Sequence, residues 1–261
     1  MPDVLEARIE REREFHNSLE RVPLSLRALR MFSEVFYEKG EKGILWAQVW
    51  PTCDLRGKTA LDYGCGSGGF SFMLARQGAR ARGVDVSDYQ VSCGQAEARR
   101  TGLDVELTVG DAHHTGYPDG TFDYVFGNGI LHHLDLPRAY REITRILKPD
   151  GIAYFTEPMI HHPLLWFLRW ATPNLRSKDE RPMTMKDIES AASCGLHPIC
   201  RFHYLTAVAA APFRIFGLSV ANTVLHCLDH IDQLLFRTFP SLREYAWYTV
   251  IEFSKEAPRA T

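Results

Sequence analysis

The spacing of hydrophobic positions along this chain changes near residue 57. Before it, apolar residues such as Leu5, Ile9 and Phe15 recur among charged ones, and the pattern repeats over 25–40. This spacing predicts amphipathic helices. After it, short apolar runs that stop at glycine alternate with amphipathic segments, which is typical of strands followed by helices.

Five strands and three helices are predicted between residues 57 and 158. The strands are 58–64, 81–87, 104–112, 121–129 and 151–158, and the helices are 69–78, 87–102 and 135–151. This alternation predicts an α/β fold with a doubly wound, mostly parallel sheet. A helix at 184–195 and strands at 197–204 and 246–253 complete seven strands.

The pattern also suggests how the chain is organised. We expect an N-terminal helical cap or lid over 1–56 and an α/β domain over 57–204. A helical insertion over 205–241 would add to the cap, and 242–261 would supply the last strand and the tail. Trp166, Phe167 and Trp170 lie in an aromatic-rich insertion, which we expect to meet the other cap segments over an apolar acceptor pocket. The alternative is that these helices simply pack on one another.

Composition and charge exclude several classes of protein. The 261 residues are 45% hydrophobic and 24% charged, with a formal net charge of −2, so no basic field is present to hold nucleic acid. The most apolar late stretch, 204–228, is interrupted by proline, arginine and histidine, so we expect no membrane span. The charged N-terminus lacks the apolar core of a signal peptide, and we therefore expect a cytoplasmic protein.

The cysteines and histidines do not show metal-ligand spacing. The six cysteines form no C-x-x-C pair and are expected to be reduced thiols. The paired histidines are adjacent rather than four residues apart on a helix. The sequence therefore predicts no metal site.

The segment LDYGCGSGGF (61–70) has the composition of a ligand-binding loop. Gly64, Gly66 and Gly69 satisfy G-x-G-x-x-G at the turn from the first strand to the first helix after it, where glycine lets the backbone approach a ligand. Asp85 ends the second strand 19 residues after Gly66, a spacing that suits a carboxylate binding ribose hydroxyls. NAD and S-adenosylmethionine fit these features equally well.

Three further features favour S-adenosylmethionine. Asp62 comes just before the glycines, where a buried carboxylate would repel a pyrophosphate but attract an ammonium group. Asp111 can accept a hydrogen bond from an adenine amino group, and the backbone amide of Ala112 can reach a ring nitrogen. The two late strands suit a sheet that ends in an antiparallel strand, which is unusual for nicotinamide enzymes.

The motifs resemble those of class I S-adenosylmethionine-dependent methyltransferases. ALDYGCGSGGFSFMLA, GVDVS, GDAHHTGYPDGTFDYVFGNGILHHL and RILKPDGIAYFTEP follow one another in the family's order over about 57–158. The chain is similar to the bacterial small-molecule branch that includes quinone-biosynthesis methyltransferases. The resemblance implies a Rossmann-like methyltransferase fold, S-adenosylmethionine as cofactor and a small-molecule substrate.

The resemblance also implies which residues contact the cofactor. Asp62 and the glycines that follow it would surround the methionine part. Asp85 would bind the ribose hydroxyls, and Asp111 with Ala112 would hold the adenine. Gly127 and Asn128, at the end of the fourth strand, would close over the methionine and the sulfonium. The implied set is Asp62, Gly64, Cys65, Gly66, Gly68, Asp85, Val86, Asp111, Ala112, Gly127 and Asn128.

The candidate catalytic residues follow the fourth and fifth strands. His132 and His133 lie in GNGILHHLD, and Glu157 lies in TEP. In an open sheet the site lies beyond the carboxyl ends of the strands, and histidine has the pKa needed to take a proton from an oxygen, nitrogen or acidic carbon acceptor. The alternatives are a packing role for the histidines and a capping or ion-pair role for Glu157.

Three other functions are compatible with these residues. The enzyme could break another bond of the sulfonium, by aminocarboxypropyl transfer or cyclisation, and release methylthioadenosine. The chain could instead be a non-catalytic protein that binds the cofactor. NAD-dependent oxidoreduction is the remaining alternative.

Overall fold

The computed structural model of the chain describes residues 4–18, 46, 49–171, 177, 179–210, 212–213 and 219–255. The helix predicted over 25–40 lies outside these residues, as does part of the insertion at 205–241. None of the described helices is both long enough and apolar enough to cross a bilayer.

Seven strands form one sheet in the order β3-β2-β1-β4-β5-β7-β6. The first five strands pair in parallel, and β7 runs antiparallel to both β5 and β6. This confirms the predicted fold class and the antiparallel last strand. The strands are β1 (Thr59–Tyr63), β2 (Arg80–Asp85), β3 (Val105–Val109), β4 (Phe122–Asn128), β5 (Leu147–Pro158), β6 (His197–His203) and β7 (Tyr248–Ser254).

Helices cover both faces of the sheet and its edge. They are α1 (Val4–Ser18), α2 (Gly69–Arg76), α3 (Asp88–Thr101), α4 (Leu136–Ile146), α5 (Pro163–Ala171), α6 (Met185–Glu189) and α7 (Ala221–Thr238). Short 3-10 turns include Leu131–His133 after β4, Ser190–Cys194 after α6 and Ala207–Ala210 after β6.

Side-chain caps fix where several helices begin. The Ser87 side chain accepts a hydrogen bond from the Gln90 amide at the start of α3. Thr184 and Asp187 form a capping box at the start of α6. These bonds satisfy amides that have no partner within the helix.

Two predicted boundaries were wrong. The helix expected to run to residue 151 ends at Ile146, and β5 begins at Leu147 rather than at Gly151. Leu147 pairs with Phe122 of β4, and the register shifts before Tyr124 pairs with Ile152. Pro149 cannot continue a helix and lies within this irregular stretch, where the backbone is already extended. The helix predicted at 184–195 is a short α-helix followed by a 3-10 turn.

Most of the buried apolar residues that the structure describes lie in two layers, one on each face of the sheet. Alternate residues of a strand point to opposite faces, so Phe126 and Tyr154 pack on one layer while Val125 and Phe155 pack on the other. Burial of both faces explains why the central strands are nearly continuous apolar runs. The same parallel arrangement brings the carboxyl ends of β1 to β5 to one edge.

The later insertions meet at this carboxyl edge. The imidazole Nε2 of His162 lies 3.3 Å from the Leu205 carbonyl oxygen. The buried Asp232 of α7 accepts hydrogen bonds from the amides of Leu205, Thr206 and Ala207, which fixes α7 to the segment after β6. The segment after β5 and the segment after β6 therefore contact each other.

The aromatic side chains of α5 do not form the enclosing wall that we expected. Trp166, Phe167 and Trp170 are 67%, 51% and 71% exposed. The helix buries Leu165 against the core instead, so its aromatic positions fall on the other sides of the helix.

We predict that Gly127→Ala lowers the free energy of unfolding by about 1–3 kcal/mol, which is typical of overpacking a core. A Cβ at Gly127 would lie 2.3 Å from the Phe155 ring on the neighbouring strand. Urea denaturation measures the change. Gly69→Ala is the matched control, because a Cβ there meets nothing within 4 Å. Equal stability of the two variants would contradict this account of Gly127.

Candidate functional site

The glycine loop joins β1 to α2 and contains open space beside its central glycine. Gly66 has a φ of +51°, a conformation that glycine adopts without strain, and a Cβ built there meets nothing within 4 Å. Its amide donates a 2.8 Å hydrogen bond to Oδ2 of Asp85. The loop is therefore tied to the end of β2 while leaving room for a ligand beside Gly66.

Asp85 occupies the carboxyl end of β2, as predicted. Its Oδ1 accepts a 2.8 Å hydrogen bond from the Ser87 amide, and its Oδ2 accepts the bond from Gly66. A carboxylate oxygen can accept two hydrogen bonds. Asp85 therefore still has acceptor capacity for hydroxyl groups of a ligand, with its orientation fixed by two backbone amides.

Asp62 is a buried carboxylate on β1, directly before the glycine loop. It is 2% exposed, and its Oδ2 accepts a 2.7 Å hydrogen bond from the Ser71 hydroxyl. Ser71 lies in the first turn of α2, where the helix dipole favours negative charge. A cationic ligand group close by would further stabilise this carboxylate.

Asp111, just after β3, is oriented by a histidine that the sequence analysis did not single out. Its Oδ1 accepts hydrogen bonds from the amide and the Nδ1 of His113, at 2.8 and 2.7 Å. The Nε2 of His113 in turn accepts from the Asp135 amide, so Nδ1 carries the proton. Burial raises the pKa of Asp111, but the His113 bonds outweigh it and hold the pKa below its usual range. Asp111 is therefore ionised, and its Oδ2 is the oxygen that these bonds do not use.

Other residues of the implied cofactor set have structural contacts. The Ala112 carbonyl accepts a hydrogen bond from the buried Tyr63 hydroxyl, and the Val86 carbonyl accepts from Nε of Arg13 at 3.2 Å. Asn128 accepts a hydrogen bond from the Thr156 hydroxyl. Burial raises the pKa of the Cys65 thiol well above its usual range, which argues against a nucleophilic role.

Glu157 fixes the loop after β4 from a fully buried position. Its Oε1 accepts hydrogen bonds from the amides of Ile130 and Leu131 at 2.9 and 2.7 Å, and its Oε2 lies 2.6 Å from Nδ1 of His132. The side chain is 0% exposed. These contacts favour the capping role for Glu157 over direct contact with a substrate.

His133 is paired with a residue of the N-terminal helix. Its Nδ1 lies 3.1 Å from Oε2 of Glu12 on α1. Burial lowers the pKa of His133, but the hydrogen bond and charge of Glu12 outweigh it and raise the pKa. Burial likewise raises the pKa of Glu12, and bonding to His133 reverses the shift. The two groups therefore form a buried ion pair that attaches α1 to the loop after β4.

Further contacts hold α1 across the carboxyl edge. Asn17 donates a hydrogen bond to Asp88 and accepts one from Ser87 beside the end of β2. Arg11 forms a bidentate pair with Asp179, at 2.7 and 3.0 Å. The N-terminal helix therefore spans from the Asp85 side of the edge to the histidine side.

Comparison with known proteins agrees with this geometry. Residues 61–155 match a family described as "Methyltransferase domain". Over this part, from β1 to β5, the chain is similar to methyltransferases. This confirms the resemblance drawn from the motifs, and the methyltransferase domain contains all the residues from Asp62 to Asn128 implied to contact the cofactor.

Two curated relatives and one solved structure show the extent of the similarity. Norajmaline N-methyltransferase from Rauvolfia serpentina is 34% identical over 115 residues, which are 42% of this chain and 39% of the relative. Ubiquinone biosynthesis O-methyltransferase from Azoarcus sp. (strain BH72) is 33% identical over 107 residues, 40% of this chain and 46% of the relative. The chain thus spans less than half the length of these two relatives.

The structural comparison supports the fold alone. Phosphoethanolamine N-methyltransferase 2 from Haemonchus contortus superposes with a TM-score of 0.65 at 18% identity, over 92% of this chain and 60% of that one. Identity this low carries no information about substrate.

The residues at the carboxyl edge of the methyltransferase domain fit S-adenosylmethionine, the cofactor of this family. Asp62, Asp85 and Asp111 offer carboxylate oxygens at the ends of three neighbouring strands. The cofactor offers an ammonium group, two ribose hydroxyls and an adenine amino group, all of them donors. The space beside Gly66 adjoins Asp85, whose carboxylate accepts the hydrogen bond from the Gly66 amide.

We predict that Glu157→Gln lowers the free energy of unfolding by about 1–3 kcal/mol. The carboxamide would present its NH2 either to the Ile130 and Leu131 amides or to the Nδ1–H of His132, and in both cases buried donors would face each other. Thermal or urea unfolding measures the loss, and Glu189→Gln on the surface of α6 is the control. If Glu157→Gln were as stable as this control, Glu157 would not hold the loop as described.

Proposed function

We propose that this protein transfers the methyl group of S-adenosylmethionine to a small molecule. The observation that supports this most strongly is the set of carboxylates at the carboxyl edge. S-adenosylmethionine carries a sulfonium and an ammonium, so an anionic edge complements its charge. The pyrophosphate of NAD would face the carboxylate of Asp62, which is buried and hydrogen-bonded to Ser71.

Methyl transfer requires little covalent chemistry from the protein. When bound, the cofactor supplies an activated methyl and its own leaving group, so the chain positions the acceptor in line and excludes water. We assign cofactor orientation to Asp62, Asp85 and Asp111. The helix α1, held over the edge by Arg13 and Glu12, covers the site from above.

His132 is the residue best arranged to accept a proton from the acceptor. Its Nδ1 lies 2.6 Å from Glu157, and when Nδ1 carries the proton, Nε2 keeps a lone pair. A buried carboxylate that orients an imidazole in this way is the usual arrangement for a histidine base. Glu157 is then a positioning residue, and the ion pair of His133 with Glu12 makes His133 the weaker candidate.

Small-molecule acceptors are supported by the relatives and by the charge. The two curated relatives are named for N-methylation of norajmaline and for O-methylation in ubiquinone biosynthesis. The net charge of −2 provides no field that would hold a nucleic acid.

The products of turnover test the reaction. We expect incubation with S-adenosylmethionine and small phenols, amines or enolisable acceptors to yield S-adenosylhomocysteine and a methylated product, identified by mass spectrometry. Release of methylthioadenosine would show that another sulfonium bond breaks. Cofactor binding without turnover of any acceptor would favour the non-catalytic alternative.

We predict that Asp85→Asn weakens S-adenosylmethionine binding by roughly 10- to 100-fold, whereas His132→Gln leaves it within about twofold. Each hydrogen bond from a ribose hydroxyl to a carboxylate contributes about 1.5–3 kcal/mol. Isothermal titration calorimetry measures both affinities, and circular dichroism checks that the variants fold. Wild-type affinity in Asp85→Asn, or tight binding of NAD by the wild type, would overturn the cofactor assignment.

A further inference from the structure

We propose that Glu12, His16 and His133 form a binding site for one divalent transition-metal ion such as Zn²⁺. The ligands would be one carboxylate and two imidazoles. Glu12 and His16 lie on α1, and His133 lies in the turn after β4. This proposal does not depend on the proposed methyl transfer, because metal binding is measured directly.

The spacing of the ligand atoms fits tetrahedral coordination. Oε2 of Glu12 lies 3.1 Å from Nδ1 of His133 and 3.7 Å from Nε2 of His16. All three ligand atoms lie within 4.8 Å of one another. Zinc–nitrogen and zinc–oxygen bonds of about 2.1 Å place neighbouring tetrahedral ligands roughly 3.4 Å apart. The two measured distances lie on either side of that value, so small side-chain adjustments would admit an ion.

The helix α1 brings two of the three proposed ligands together. Glu12 and His16 are four residues apart on α1, so both side chains lie on the same face. Two ligands at this spacing on one helix are a recurrent arrangement in zinc sites. His133 completes the set from across the carboxyl edge, and three protein ligands leave a fourth position open, as in catalytic zinc sites.

The surroundings orient the carboxylate and leave access to the site. The Ser177 hydroxyl donates to Oε1 of Glu12, which fixes the carboxylate with Oε2 toward the histidines. The Glu12 and His133 side chains are 8% and 11% exposed, while that of His16 is 32% exposed. The ion would therefore enter past His16 and replace the proton that Glu12 and His133 share, since metal ligands must be deprotonated.

A second possible set, His132, His133 and Glu180, is less suitable. Glu180 accepts a hydrogen bond from the Arg169 guanidinium at 2.5 Å, so its charge is already compensated. Glu12, in contrast, is bonded to Ser177 and to the two histidines that would be its fellow ligands.

Titration of the full-length, chelator-treated protein with Co²⁺ and Zn²⁺ tests the site. We expect one equivalent of Co²⁺ to give visible d–d absorption bands of tetrahedral or five-coordinate cobalt, and Zn²⁺ to displace it. His16→Gln should weaken binding by about 100-fold or more, since even outer partners of metal ligands contribute 10–100-fold. His161→Gln, at an exposed histidine outside the cluster, is the matched control and should bind as the wild type does.

His16→Gln leaves the Glu12–His133 pair intact, so it separates loss of a ligand from loss of folding. Glu12→Gln should also abolish stoichiometric binding, with the fold checked by circular dichroism. The proposal is overturned if the wild type binds no stoichiometric metal, or if His16→Gln binds as tightly as His161→Gln. Loss of binding in Glu180→Gln but not in Glu12→Gln would equally overturn it in favour of the second set.

Discussion

Negative charge gathered at one edge of a parallel sheet is the constraint on which the chemistry of this molecule depends. The parallel order β3-β2-β1-β4-β5 brings five carboxyl ends to the same edge. Aspartates stand at or just after three of these ends, and each is fixed by a hydroxyl, an amide or an imidazole. Such an edge needs donors and positive charge from a ligand, which is what a sulfonium cofactor with an ammonium tail provides.

Local sequence patterns were sufficient to predict where these three aspartates lie in the fold. Strands that end in glycine or aspartate place Asp62, Asp85 and Asp111 at the carboxyl edge once the sheet is known to be parallel. The strand and helix order needed only the change of hydrophobic period near residue 57. The misplaced start of β5 shows the limit, because pairing of Leu147 with Phe122 is set by the neighbouring strand and not by the local pattern.

Contacts between distant segments could not be predicted in this way. Glu12 and His133 are 121 residues apart, and their pairing depends on how α1 lies across the sheet edge. In the sequence Glu12 is one of several acidic residues in a charged segment, and only its burial distinguishes it. The role of Glu157 was similarly ambiguous until the fold placed it beneath the amides after β4. The aromatic residues of α5 were misjudged because apolar composition does not reveal which side of a helix is buried.

A crystal structure of the protein with bound S-adenosylhomocysteine would test most directly the claim that the three aspartates bind the cofactor. The account predicts the ribose hydroxyls within hydrogen-bond distance of Asp85, the adenine amino group at Asp111 and the amino acid part beside Gly66 on the Asp62 side. The thioether sulfur should face the turn that carries His132. Cofactor bound away from these three carboxylates, or an adenosine with its ribose distant from Asp85, would contradict it.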